Sequence, residues 1–264
     1  MEAAKHDEII AASAVHHNRL AVFYDRLHPE LWNKEELSRI ERLVANSVKS
    51  LPATAPARSL DLGAGTGFAT EALLEWGFAV DAVDVSVFML KRLKKKFARE
   101  VASGRVRVHL DDADTFLRTV DLKYSLIIAS VVMNHLPDPR ATFDLMTRRL
   151  IAGGSIIIFH EPSSAASSHL KRILKLIDRF LARLFIVPWN QMEIFQSSSL
   201  KFCDNDSKHG AIFSEAEVRE AARESGLTIH GFERYSTAFS APVRRALEWL
   251  SGPTTWSMVL RKPR

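Results

Sequence analysis

Three alternating glycines, Gly63, Gly65 and Gly67, follow a short apolar segment that contains Asp61. Glycine has no Cβ atom, so it accepts positive φ angles and lets a bound molecule approach the backbone closely. Between a strand and a helix, such glycines serve either tight packing or a ligand-binding turn. Asp61 next to the turn favours a ligand with a cationic group and disfavours a diphosphate.

A second acidic residue narrows the class of ligand. Asp84 ends the apolar segment AVDAVD, 21 positions after Gly63, where a carboxylate can accept hydrogen bonds from ribose hydroxyls. Asp81 is the competing acid, but it lies inside the strand pattern. A dinucleotide loop needs glycine where this chain has Phe68. The residues therefore predict a nucleoside with a cationic amino acid end and no phosphate, and S-adenosylmethionine fits that description.

Residues 58–160 resemble the cofactor domain of class I S-adenosylmethionine-dependent methyltransferases. LDLGAGTG matches the first motif of that family, VDVSVFML the second and LDDADTF the third, although Tyr124-Ser125 stands where the family often has Phe-Asp. The resemblance implies direct in-line methyl transfer, with S-adenosylhomocysteine as the product and Asp112 on the adenine side. The cofactor contacts that it implies are Tyr24, Asp61, Gly63, Ala64, Gly65, Gly67, Asp84, Val85, Asp112, Ala113 and Ser130.

The catalytic candidates are groups that could take a proton from the methyl acceptor. A phenol or carboxylic acid needs little help, whereas an aliphatic hydroxyl or a carbon acid needs a base, and histidine is the usual supplier. His135 follows the fourth strand, and His160 and Glu161 end the fifth, so these three are the candidates. His16 and His17 are interpreted as surface residues. No spacing typical of metal ligands is present, so no metal is expected.

The elements that must position these residues alternate along the chain. Strands are predicted near 58–62, 79–84, 105–110, 124–130 and 155–160, with helices near 67–76, 86–101 and 139–150. This alternation predicts an α/β fold, a Rossmann-like doubly wound sheet that is mainly parallel. Two closing strands, near 227–235 and 254–263, resemble the antiparallel C-terminal hairpin of the methyltransferase family and bring the sheet to seven strands.

The predicted organisation has four parts. They are a helical leader that closes over the site (1–56), the S-adenosylmethionine-binding core (57–162), a lid or cap insertion (163–213), and the C-terminal part of the sheet domain (214–264). Within the insertion, residues 169–185 form a basic amphipathic pattern. That pattern fits either a lid over the pocket or peripheral contact with anionic lipid.

Composition limits the class of protein. A chain of 264 residues with 47% hydrophobic and 25% charged residues is globular rather than disordered. The single cysteine and the apparent lack of a secretory signal or an 18-residue apolar stretch predict a soluble, cytoplasmic protein.

The net charge of +5 is the main argument for a nucleic acid partner, which we consider unlikely because the basic residues near 91–99 fit a solvated helix face. The aromatic residues outside the core favour a small, largely apolar acceptor, as in small-molecule and quinone-biosynthesis methyltransferases. The alternatives are an RNA or protein methyltransferase, and a donor-binding protein without transfer activity. Nothing in the sequence gives the oligomeric state.

Overall fold

One seven-stranded sheet organises the molecule. The computed structural model describes residues 2–28, 33–163, 177, 213–237 and 241–264. The strands are β1 (Arg58–Leu62), β2 (Ala79–Asp84), β3 (Val106–Leu110), β4 (Tyr124–Ser130), β5 (Leu150–Pro162), β6 (Thr228–Tyr235) and β7 (Thr255–Arg261). Their order is β3-β2-β1-β4-β5-β7-β6, with β1 to β5 parallel and β7 antiparallel to both β5 and β6. The predicted Rossmann-like sheet with its antiparallel C-terminal hairpin is confirmed.

Helices connect the strands and cover the sheet. They are α1 (Glu2–Leu20), α2 (Tyr24–Leu27), α3 (Lys34–Val48), α4 (Phe68–Glu75), α5 (Val87–Lys96), α6 (Ala98–Ala102), α7 (Ala113–Thr119), α8 (Pro139–Arg149), α9 (Glu215–Glu224) and α10 (Ala241–Ser251). Ser214 caps α9 through a capping box with Glu217. None of the described helices is long and apolar enough to cross a membrane.

Two apolar layers hold the helices against the sheet. On one side α7, α8 and α9 bury residues such as Leu117, Phe143 and Val218. On the other side α3, α4 and α5 bury residues such as Ile40 and Leu93. Because both faces of the parallel strands are covered, β1, β2 and β4 are almost continuously buried, as parallel strands in such folds are.

Several boundaries differ from the predictions. The helix expected over 86–101 breaks at Phe97, whose φ of −108° and ψ of 39° separate α5 from α6. The short helix α7 was not predicted, since its seven residues carry too little periodicity. The predicted helical leader is not one continuous helix, since α1 ends at Leu20 and is followed by a 3₁₀ turn, α2 and α3.

The insertion lies almost entirely outside the described residues. The predicted lid or cap at 163–213, including the basic amphipathic pattern at 169–185, falls on this part of the chain. Its contact with the pocket or with anionic lipid stays a prediction. The described chain resumes at Phe213, whose side chain is buried in the core and whose ring lies 6.2 Å from that of Phe143.

Candidate functional site

The three glycines of the turn after β1 have different surroundings. All three glycines have positive φ, at 72° for Gly63, 52° for Gly65 and 94° for Gly67. A Cβ atom on Gly63 would lie 2.5 Å from Val132, and one on Gly67 would lie 2.4 Å from Phe97. At Gly65 a Cβ atom would meet no heavy atom within 4 Å. Gly65 therefore leaves open space beside the turn, while Gly63 and Gly67 permit close packing.

Asp84 lies at the carboxyl end of β2 and joins that strand to the turn. Its Oδ2 accepts a hydrogen bond from the backbone N–H of Gly65 at 2.8 Å, and its Oδ1 accepts one from Ser86 at 2.7 Å. Burial raises the pKa of Asp84, while these bonds and the nearby His17 oppose the shift. Asp84 thus presents a carboxylate at the pocket wall, and its role as a ribose-binding acid stays a prediction.

Asp81, the competing acid, has a structural role. Its buried carboxylate accepts hydrogen bonds from Arg58 at 3.1 Å, Arg107 at 2.9 Å and the hydroxyl of Tyr124 at 3.2 Å. His109 Nε2 also lies 2.9 Å from it. These partners use up its acceptor positions, so Asp81 is part of the scaffold under β1, β2 and β4.

Asp61 lies behind the turn, fully buried. Its Oδ2 accepts a hydrogen bond from Thr70 Oγ1 at 2.6 Å, whereas its Oδ1 has no hydrogen-bond partner. Burial raises the pKa of Asp61 to about 7, against the opposing effect of Thr70. A buried acceptor without a partner is rare and costly, so this oxygen fits a cationic group on a ligand.

In the third motif, LDDADTF, neighbouring residues have different structural roles. Asp112 caps α7, with its side chain accepting from the backbone N–H groups of Asp114 and Thr115 at 3.0 Å each. Its neighbours on both sides, Asp111 and Ala113, line the pocket instead. The Asp112 carboxylate is also 3.9 Å from His6 of the leader.

The loop after β4 forms the opposite wall and is held by Glu161. Val131 has a φ of 54°, which is a strained value for a β-branched residue. The Glu161 carboxylate accepts hydrogen bonds from the backbone of Val132 and Met133 at 3.0 Å each and from Asn134 Nδ2 at 2.7 Å. Burial raises the pKa of Glu161 to about 7, and the three bonds oppose that shift. Glu161 does not itself line the pocket.

The two candidate histidines face different surroundings. His135 lines the pocket, and burial lowers its pKa to about 4, with His17 and His28 adding to the effect. His160 has a φ of 60° and lies on the side of α3, where its Nδ1 is 3.4 Å from Glu36 Oε2. Its backbone N–H donates to Ser257 Oγ at 3.0 Å. His135 is therefore a neutral group at the pocket, and His160 belongs to a buried polar cluster outside it.

The leader supplies wall residues that the sequence did not reveal. Predicted contact Tyr24 lines the pocket, and so do Ile10, Ser13 and His17 of α1. The interpretation of His17 as a surface residue is wrong. A weakly amphipathic helix gives little signal for which face is covered, so only the tertiary structure shows this.

The pocket joins these walls at the carboxyl ends of the parallel strands, where α/β sheets bind ligands. It encloses about 70 Å³ beneath α1. Four predicted cofactor residues do not line it, namely Asp61, Ala64, Gly67 and Asp112. The described lining consists of Ile10, Ser13, His17, Tyr24, Leu62, Gly63, Gly65, Val83, Asp84, Val85, Met89, Asp111, Ala113, Ser130, Val131, Val132, His135 and Leu136.

The types of ligand that could be bound follow from the side chains present. The described residues contain no cluster of three or more histidine, cysteine, aspartate or glutamate side chains that could hold a metal ion. S-adenosylmethionine, by contrast, fits the residues present. Gly65 leaves room for it, Asp84 offers acceptors for the ribose, and the unpartnered Asp61 Oδ1 suits its ammonium end.

The fold is shared with solved methyltransferases. Magnesium protoporphyrin IX methyltransferase from Synechocystis PCC 6803, crystallised with bound S-adenosylhomocysteine, aligns over 96% of this chain and 99% of its own, with a TM-score of 0.58 and 16% identity. A putative sarcosine dimethylglycine methyltransferase from Galdieria sulphuraria aligns over 86% of both chains, with a TM-score of 0.55 and 20% identity.

A curated relative and a family model give the sequence evidence. A probable ribosomal RNA small subunit methyltransferase A from Methanospirillum hungatei is 36% identical over 78 residues, which are 30% of this chain and 27% of that protein. The chain thus matches only about a quarter of that relative. The model of the methyltransferase domain family matches residues 24–230. The chain therefore belongs to this family of methyltransferase domains.

Proposed function

We propose that this enzyme transfers a methyl group from S-adenosylmethionine to a small, largely apolar acceptor. The observation that carries this proposal is the lining of the described pocket, where apolar side chains predominate. No lysine or arginine lines it within the described residues, although an RNA substrate would require cations against its phosphates. The apolar lining includes Ile10, Leu62, Val83, Met89, Val132 and Leu136.

The donor would be held by groups from three strand ends. Asp84 would bind the ribose hydroxyls, and Asp61 would stabilise the ammonium end from behind the turn. Asp111 and Ala113 would border the adenine, with Asp112 fixing their loop as the cap of α7. When bound, S-adenosylmethionine supplies a methyl carbon activated by the positive sulfur, so the enzyme mainly aligns the acceptor and excludes water.

The predicted catalytic residues take different parts in this proposal. His135 would contact the reacting groups as a neutral side chain, because its pKa is lowered to about 4. Glu161 would act as a positioning residue that holds the loop carrying His135. His160 would brace the end of β5 against Glu36 and Ser257.

The leader would close the donor site from above. Asn18 Oδ1 accepts a hydrogen bond from Ser86 Oγ at 2.8 Å, directly beside Asp84. Asp25 accepts from Thr66 of the glycine turn at 2.5 Å and from Arg92 of α5 at 2.7 Å. Because a ligand of this size needs several hundred cubic ångströms, we expect α1 to shift when the donor enters.

Substitution of Asp84 tests the donor site. Asp84→Ala removes the ribose acceptor and should weaken S-adenosylhomocysteine binding by about 1.5 to 3 kcal/mol, measured by calorimetry. Asp121→Ala removes an exposed carboxylate before β4 and serves as the matched control. An unchanged dissociation constant for Asp84→Ala would rule out the assigned ribose contact.

The acceptor is tested by incubation of the enzyme with labelled donor and a small-molecule extract of the source cells. A labelled apolar product supports the proposal, and labelled RNA from a parallel incubation with total RNA contradicts it. RNA is the second candidate because of the ribosomal RNA methyltransferase relative and the exposed lysines of α5. RNA binding would weaken steeply as salt rises.

A further inference from the structure

His17 of α1 stands at the centre of a ring cluster in the pocket. Its imidazole centroid is 5.6 Å from that of His135 on the opposite wall and 6.4 Å from that of Tyr24. It also lies close enough to Asp84 to oppose the rise that burial causes in the pKa of that carboxyl. His17 therefore lines the pocket between Asp84 and the loop after β4.

The hydrogen bonds of His17 fix its tautomer. Nδ1 lies 2.9 Å from the backbone carbonyl oxygen of Ser13, and Ser13 Oγ lies 3.3 Å from the same nitrogen. A carbonyl oxygen can only accept, so Nδ1 carries the hydrogen in the neutral ring. Nε2 is then the basic nitrogen. A histidine oriented in this way by a backbone carbonyl is suited to accept a proton.

The charges around His17 favour such a role. Asp84 at the end of β2 lies close to His17, while His135 remains neutral near pH 7 because its pKa is lowered to about 4. Tyr24 on α2 and His16 on its own helix are the other titratable rings beside it. Asp111 lines the same pocket. The described lining contains no lysine or arginine, so no basic side chain other than a histidine competes there for the proton.

We propose that His17 is the general base of the reaction and that the methyl acceptor is a hydroxyl compound. This inference rests on the proposed function. The acceptor oxygen attacks the methyl carbon, the O–C bond forms and the C–S bond breaks with its electron pair moving to sulfur. The hydroxyl proton passes to His17 Nε2. The positive charge of the sulfonium is thereby replaced by that of the imidazolium, and the thioether product is neutral.

The position of His17 can be tested without the acceptor. S-adenosylmethionine carries a positive sulfur and S-adenosylhomocysteine a neutral one, while both share the ribose, adenine and amino acid groups. The ratio of their dissociation constants therefore reports the effect of protein charges near the sulfur. A protonated His17 would weaken binding of the cation only, by about tenfold at a separation of a few ångströms in a partly solvated site.

The experiment measures both dissociation constants by calorimetry between pH 5.5 and 8.5. For the wild type we expect the ratio of S-adenosylmethionine to S-adenosylhomocysteine to rise as the pH falls. For His17→Gln it should stay flat, with S-adenosylhomocysteine affinity preserved as evidence of folding. His16→Gln, the matched control one residue away, should behave like the wild type. A flat wild-type ratio, or a pH dependence that survives in His17→Gln, would overturn the placement.

The transfer rate then tests the base. With labelled donor and a small-molecule extract, His17→Gln should lose about 100-fold or more in rate, as expected for a lost general base, and His16→Gln should not. A His17→Gln enzyme as fast as the wild type would refute the proposal. Donor binding with no labelled small molecule from any variant contradicts the proposed acceptor class, whereas the ratio of dissociation constants still decides where His17 lies.

Discussion

Two buried carboxylates, Asp61 in β1 just before the glycine turn and Glu161 near the end of β5, have similarly raised pKa values but differ in their hydrogen-bond partners. Both are fully buried, and burial raises the pKa of each to about 7. Glu161 has three donors on its two oxygens, from Val132, Met133 and Asn134. Asp61 has one donor, Thr70, and its other oxygen is unpartnered.

The difference separates a group that holds the protein from one suited to hold a ligand. A carboxylate whose acceptors are satisfied within the chain stabilises the loop that it binds. A buried carboxylate with an oxygen that accepts no hydrogen bond lowers the stability of the protein until a ligand supplies a donor. Perturbed pKa values alone would rank the two residues equally as functional candidates. Their hydrogen-bond partners distinguish them.

The largest expected effect is on stability at Glu161. Glu161→Ala leaves two backbone N–H groups and the Asn134 amide without their acceptor in a buried site, so the free energy of unfolding should fall by about 3 kcal/mol in urea denaturation. Glu161→Gln keeps one acceptor oxygen and should lose less. A loss below about 1 kcal/mol for the alanine variant would show that the loop does not depend on Glu161.

Asp61 should show the reverse pattern. Asp61→Ala removes the group proposed to pair with the ammonium end and should weaken S-adenosylhomocysteine binding by about 2 kcal/mol, roughly 30-fold. Its free energy of unfolding should change by less than about 1 kcal/mol, because the relieved burial penalty offsets the unpaired Thr70 hydroxyl. Calorimetry and urea denaturation measure the two effects, and an unchanged affinity with a large loss of stability would make Asp61 structural.

The pH dependence of stability should report both carboxyls. Each folded pKa of about 7 lies above the unfolded values of 3.8 and 4.5. The folded protein therefore binds these protons more tightly, and its stability should fall as the pH rises from about 4 to 7. Urea denaturation at pH 5 and pH 8 measures the difference. Asp61→Asn and Glu161→Gln should each remove part of it, and a wild type more stable at pH 8 would contradict the expectation.

The parts of the site that the sequence predicts are those set by local geometry. Alternating glycines demand positive φ, and apolar runs that end in acids define parallel strands, so Gly65, Asp84 and their turn were predictable. The break of the second crossover helix at Phe97 was not. Phe97 lies against Gly67, so long-range packing at the turn accompanies the change in helix direction.

The direction of His160 and the position of His17 at the pocket depend on contacts distant in sequence. The register of β5 against β7 shifts between Ile158 and Glu161, and His160 in that interval has a φ of 60°. The strict alternation of side chains between the two faces of the sheet therefore fails at the end of β5. His17 reaches the pocket because the leader folds back over the sheet, with Asn18 contacting Ser86, 68 residues away.

The smallest expected effect comes from Thr70, the single partner of Asp61. Thr70→Val keeps the shape of the side chain and removes the hydroxyl, so Oδ2 of the buried Asp61 carboxylate loses its side-chain donor. At pH 8, where Asp61 is charged, the free energy of unfolding should fall by about 1.5 kcal/mol, the contribution typical of a hydrogen bond to a charged group. At pH 5, where Asp61 is protonated, the loss should be smaller because a neutral acceptor gains less from the bond.

Urea denaturation at both pH values measures the difference, and Thr142→Val, which removes a buried hydroxyl next to Asp114, is the matched control. Equal losses at the two pH values would mean that Asp61 does not titrate between them, and the contrast with Glu161 would then rest on hydrogen bonding alone.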